Sequence, residues 1–92
     1  MQLKNYMEDL VWQRLEEVLI NNPEACNCEK CRYDTVSLAL NSLPPRYIVT
    51  PAGEVYTKTK SLESQFNIDI ITAITKALQV VQNKPRHDSD QA

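Results

Sequence analysis

Three cysteines within six residues, Cys26, Cys28 and Cys31, constrain this chain more than any other feature. Three thiols cannot all pair within one chain, and Cys26 and Cys28 are too close for an easy bridge. A disulfide framework would also spread its cysteines along the sequence. Here a C-x-C runs directly into a C-x-x-C. The C-x-x-C spacing lets two thiolates converge while the backbone amides after the first cysteine point at its sulfur. Thiolate donors select zinc among the common cytosolic metals, and zinc adds no redox chemistry. Buried structural cysteines would instead recur at helical apolar spacing, and these do not. Zn2+ is therefore the expected cofactor, with Cys26, Cys28 and Cys31 as ligands.

The motif supplies three donors and leaves the fourth open. His87 is the sole histidine, and a C-terminal segment folding back would bring it to the metal. Glu24, Glu29, Asp34, water or a group from a second chain are the alternatives. Lys30, between Cys28 and Cys31, is placed to soften the charge of three thiolates. A metal also suits the chain's size. At 92 residues there is room for one domain, expected over residues 1–84. A domain this small buries only ~60–65% of the surface its unfolded chain exposes, so a metal or a partner subunit is a common supplement.

The sequence around the cysteines is helical. Leu3, Met7, Leu10, Val11, Leu15 and Val18 follow three-four spacing over residues 2–20, with Arg14 breaking the apolar stripe. Trp12 lies off its centre beside Leu19, either widening the core face or facing a second subunit. Asn21-Asn22-Pro23 stops this helix. A second helix from about Lys30 carries Val36, Leu38, Ala39, Leu40 and Leu43. Pro44-Pro45 ends it, since proline lacks a backbone donor and pushes its predecessor out of helical geometry. Asn41, near that end, suits a carbonyl cap or a left-handed residue.

Residues 46–59 change character. Tyr47, Val49, Val55, Tyr56 and Thr57 favour extended backbone, and Pro51-Ala52-Gly53-Glu54 is a turn, so the segment is a hairpin or an extended crossover. It carries Arg46 and Lys58, with Lys60 just beyond, as a local basic, aromatic surface. Ser61 opens the last helix, with Asn67 a candidate break. Phe66, Ile70, Ile71, Ala73, Ile74, Ala77, Leu78 and Val81 give this helix an apolar face wider than one partner helix needs, and Ile68 and Val80 fall outside it. A homodimer would cover such a face. The polar tail, residues 85–92, is expected to fray. The fold expected is thus mainly α: three to four helices in a zinc-stapled, homodimeric domain with a short extended or hairpin segment.

Composition excludes several functions. No charged segment leads into an apolar one as in a secretory signal, and no apolar run approaches the ~18 residues of a membrane span. A cytoplasmic protein that does not enter membranes is expected. Ten basic against twelve acidic residues give a net charge of −2, which argues against bulk DNA binding. Catalysis lacks its parts as well. Neither H-x-E with P-C-x-x-C nor H-E-x-x-H is present, and one glycine cannot build a phosphate-binding loop. The expected class is not an enzyme.

The ordered run CEKCRYDTVSLALNSLPPRYIVT from Cys28 to Thr50, with the opening helix and the closing Pro85-Arg86-His87, resembles the late competence development protein ComFB family. The likeness spans about residues 3–87, and the length suits the stand-alone form of Bacillus-type bacteria. It implies a helical homodimer with one zinc per subunit, associated with DNA uptake. It also implies a receptor for a cyclic dinucleotide second messenger that signals to competence or motility partners. Arg32, Arg46, Tyr47 and Lys58 are the candidate ligand residues by chemistry, since guanidinium forks suit phosphates and tyrosine faces suit purines. The competing expectation is an adaptor of the uptake system, with zinc for folding and no nucleotide ligand.

Overall fold

The computed structural model describes residues 3–49 and 64–83. In chain order the elements are β1 (Lys4–Asn5), α1 (Tyr6–Ile20), α2 (Glu29–Ser42), β2 (Tyr47–Ile48) and α3 (Ser64–Asn83). The protein is mainly helical, as the sequence implies.

Helix α1 begins four residues later than its apolar period suggests. Residues 4 and 5 are extended and pair antiparallel with β2, Lys4 opposite Ile48 and Asn5 opposite Tyr47. Asn5 then starts the helix: its Oδ1 accepts from the Met7 N–H at 3.1 Å and from the Arg46 N–H at 2.8 Å. One side chain thus caps α1 and binds the strand beside it. Leu3, expected on the buried stripe, precedes the helix and is 70% exposed. From Met7 the stripe holds, with Met7, Leu10, Val11, Leu15 and Val18 all buried. Each such aliphatic side chain contributes about 1.5–3 kcal/mol on burial. Asn22 closes the helix by donating its Nδ2–H to the Val18 carbonyl at 2.8 Å.

Helix α2 buries Cys31, Thr35, Val36 and Ala39. The expected face, drawn from its leucines, is rotated from this one. Successive residues turn by about 100°, so with Cys31, Thr35 and Ala39 inward, Leu38 is carried to the edge and is 40% exposed. Thr35 is tolerated in the core because its hydroxyl donates to the Cys31 carbonyl at 2.7 Å. At the far end Leu43 turns extended before Pro44. Asn41 remains inside the helix, and no described non-glycine residue has positive φ, so the left-handed cap is not used.

Helix α3 runs unbroken through Asn67. Ile70, Ile74, Ala77, Leu78 and Val81 are buried, while Ile68 and Val80 are exposed as their spacing indicates. The helix packs on both α1 and α2, most extensively on α2. Two helices of its own chain therefore account for the wide apolar face. The turn at 51–54, the strand formers Val55, Tyr56 and Thr57, the start at Ser61 and the tail lie outside the described residues. Among the described residues the partner of β2 is β1.

Candidate metal centre

The three cysteines meet where the α1–α2 connection enters α2. Cys28 caps that helix and Cys31 lies in its first turn. The Arg32 N–H donates to the Cys28 carbonyl at 2.9 Å, fixing the geometry of a ligand backbone by ordinary helical bonding. Cys26 lies outside regular structure. The side chain of Gln82, in the last turn of α3, grips it at both polar atoms. The Cys26 N–H donates to Gln82 Oε1 at 2.9 Å, and Gln82 Nε2 donates to the Cys26 carbonyl at 3.2 Å.

The three Sγ atoms lie within 4.8 Å of one another, and no disulfide joins them. Tetrahedral zinc with bonds of ~2.3 Å sets sulfur separations near ~3.8 Å, so a small contraction brings these donors onto one ion. Cys31 is 1% exposed. Burial, with hydrogen bonds that the Cys31 thiol donates to Cys28 and Cys26 and repulsion from their charges, pushes its thiol up from 9.0 to about 12. A dication inverts this balance, because a coordinating thiol is deprotonated outright. The α2 N-terminus adds a favourable partial positive charge. A converging set of thiols at a helix N-terminus, Cys31 buried and Cys26 and Cys28 half-buried, fits a soft divalent metal.

Among the described residues no carboxylate joins this group. Glu24 lines a neighbouring cavity of about 520 Å³ with Asn22, Gln79, Gln82 and Asn83. Asp34 accepts from Lys30 Nζ at 2.9 Å through Oδ1, while its Oδ2 is buried without a hydrogen-bond partner. Lys30, expected to offset thiolate charge, is engaged in that ion pair. His87 lies outside the described residues.

The profile described as late competence development protein ComFB matches residues 4–85. The chain belongs to the ComFB family. The competence protein ComFB of Bacillus subtilis (strain 168) is 26% identical over 83 residues, covering 90% of this chain and 85% of that protein. A solved structure of the late competence protein ComFB from Bacillus subtilis superposes with a TM-score of 0.79. That match has 26% identity and covers 92% of this chain and 96% of the other.

In this ComFB-family chain the candidate ligand-binding residues fall in two places. Arg32 pairs with Glu16 late in α1. Arg46 lies at the opposite end, where its carbonyl accepts from the Tyr6 N–H at 2.7 Å and its guanidinium covers the Phe66 ring at 4.7 Å. About 15 Å of helical rise separates Tyr6 from Glu16. Arg32 and Arg46 are thus set apart along the helix pair. Tyr47 is beside Arg46 and 62% exposed; Lys58 lies outside the described residues. A cavity of about 360 Å³ opens at this end between Leu43-Pro44 and α3, with Asp69 and Lys76 on its walls. Trp12 is half-buried and meets Tyr33 edge-on at 5.1 Å, which gives its ring a partner within the chain. Among the described residues no helix is long and apolar enough to cross a membrane.

Gln82 and Asn5 are not among the residues that the sequence singles out. Asn5 had a local signal, an Asn followed three residues later by Glu8 ahead of an apolar run. Gln82 had none, because its partner is 56 residues away.

Proposed function

We propose that this ComFB-family protein is a non-catalytic, cytoplasmic competence protein in which Zn2+ staples the fold through Cys26, Cys28 and Cys31. The convergence of three sulfur atoms within 4.8 Å carries this reading. In the bound state zinc supplies a charge-neutralising crosslink. The residues themselves do the positioning: α2 holds Cys28 and Cys31, and the preceding loop presents Cys26. The fourth donor is left to His87, a carboxylate such as Glu24, Glu29 or Asp34, water or a group from a second chain. Removing zinc with a chelator, or Cys28→Ser, should lower the melting temperature by about 10 °C or more, because metal binding is folding free energy in a domain this small. Metal analysis of the same samples ties the loss to zinc. An unchanged melt after complete zinc removal would sink the reading.

The ligand reading follows from the Arg46 end. A cyclic dinucleotide would use the guanidinium fork of Arg46 for phosphate and the open face of Tyr47 for a purine, in a homodimer that signals to competence or motility partners. Lys58 and, from the other end of the helix pair, Arg32 are the further proposed phosphate contacts, Arg32 reaching this ligand only across the homodimer. The exposure of Tyr47 beside a cation supports it. Native mass spectrometry with added cyclic dinucleotide should show a dimer gaining discrete ligand masses, lost in Tyr47→Ala and in Arg46→Lys, which keeps charge but not the fork. A zinc-loaded protein with no ligand shift would leave the adaptor role in its place.

A further inference from the structure

Two of the three cysteines inherit their orientation from α2, but Cys26 does not. Its backbone is gripped instead by a side chain from the other end of the sequence, and the grip has two points. The Cys26 N–H can only donate, so Gln82 Oε1 must face it and Nε2 must face the carbonyl; the distances of 2.9 and 3.2 Å agree. Holding both peptide units that flank a Cα fixes the direction of its Cα–Cβ bond, and so where the sulfur can go. A primary amide at this reach offers the acceptor and the donor side by side. Glutamate offers acceptors alone, lysine donors alone, methionine neither, and asparagine is one methylene shorter.

We infer that Gln82 is a positioning residue of the metal centre, fixing Cys26 Sγ toward the ion through the Cys26 backbone. The inference rests on the zinc reading above. It also joins the C-terminal turn of α3 to the metal loop: without the clasp the Cys26 backbone loses the two hydrogen bonds that reach it from α3, while Cys28 and Cys31 keep their helical support. Groups that orient ligands without touching the metal are worth ~10–100-fold in affinity, which sets the size of the effect.

The test compares Gln82→Met, which keeps the length and helix preference of the side chain but neither hydrogen bond, with wild type and with Gln79→Ala. Gln79 lines the same cavity one turn earlier. Zinc affinity is measured by chelator competition, and coordination by the cobalt(II)-substituted spectrum. Wild type and Gln79→Ala should bind alike. Gln82→Met should bind ~10–100-fold more weakly, its cobalt charge-transfer band falling from three-thiolate to two-thiolate intensity. A general loss of stability would not move that band. Gln82→Glu, nearly the same shape and available should the methionine variant misfold, keeps an acceptor for the Cys26 N–H but loses the donor to its carbonyl. It should lose affinity too. Wild-type affinity and spectrum in these variants would overturn the clasp alone. A wild-type protein that takes up no zinc would overturn the metal reading itself, and this inference with it.

Discussion

Arg14 donates its Nε–H to Oδ1 of Asn67 at 2.7 Å, across the interface of α1 and α3. Each residue alone is an anomaly: a charge in the apolar stripe of α1, and a poor helix former near the start of α3. Together they form a half-buried, charge-assisted bond. Such bonds contribute about 1.5–3 kcal/mol, and an orphaned partner costs as much.

Arg14→Leu and Asn67→Leu should therefore each destabilise the protein by about 1.5–3 kcal/mol in urea unfolding. The double variant should lose less than the sum, with a coupling of at least about 1 kcal/mol. Strict additivity would mean that the two side chains act independently.

Asn5 offers a second test, because one oxygen serves two backbone donors. Asn5→Ala should cost about 1–2 kcal/mol, whereas Asn5→Asp, which keeps an acceptor in place, should cost only a few tenths. Hydrogen exchange at the Met7 and Arg46 amides should accelerate in the alanine variant only. Equal stability of the two variants would show that the cap contributes little.

The buried thiol of Cys31 predicts a pH dependence for the metal-free protein. Its folded value of about 12 exceeds the reference 9.0, so its contribution to stability is fully present below pH 9. Between pH 9 and 12 the unfolded chain releases a proton that the folded chain keeps, and stability falls as pH rises. Urea titrations at pH 8, 9.5 and 11 should show a decline that is shallower in Cys31→Ala. With zinc bound, the sulfur has already lost its proton and this decline should disappear. Parallel slopes for the metal-free wild type and Cys31→Ala would refute the assignment.

Local periodicity made much of the fold legible. The 7-10-11-15-18 stripe placed α1, the 70-74-77-81 stripe placed α3, and Pro23 and Pro44 bounded the segments between. The cysteine cluster was legible because its three thiols lie within six residues, where spacing maps directly onto convergence. What stayed hidden depends on distant partners. The first residues of α1 obey helical periodicity, but pairing with β2 pulls residues 4 and 5 straight. Thr35 looks polar by composition and is buried because the Cys31 carbonyl satisfies it. Gln82 resembles any surface glutamine near a helix end until Cys26 is set beside it. A side chain that completes a bond 56 residues away leaves no period in its own neighbourhood.

The two-residue ladder between β1 and β2 has a kinetic consequence. It closes a loop that contains the whole α1–α2 hairpin, so its two rungs repay the closure entropy only after both helices have docked. The ladder should then form late and contribute to the unfolding rate more than to the folding rate. The cysteine end of the hairpin, whose three thiols fall within six residues, meets almost no such barrier. The molecule is thus expected to assemble from its cysteine end toward its strand end, and to fray in the opposite order.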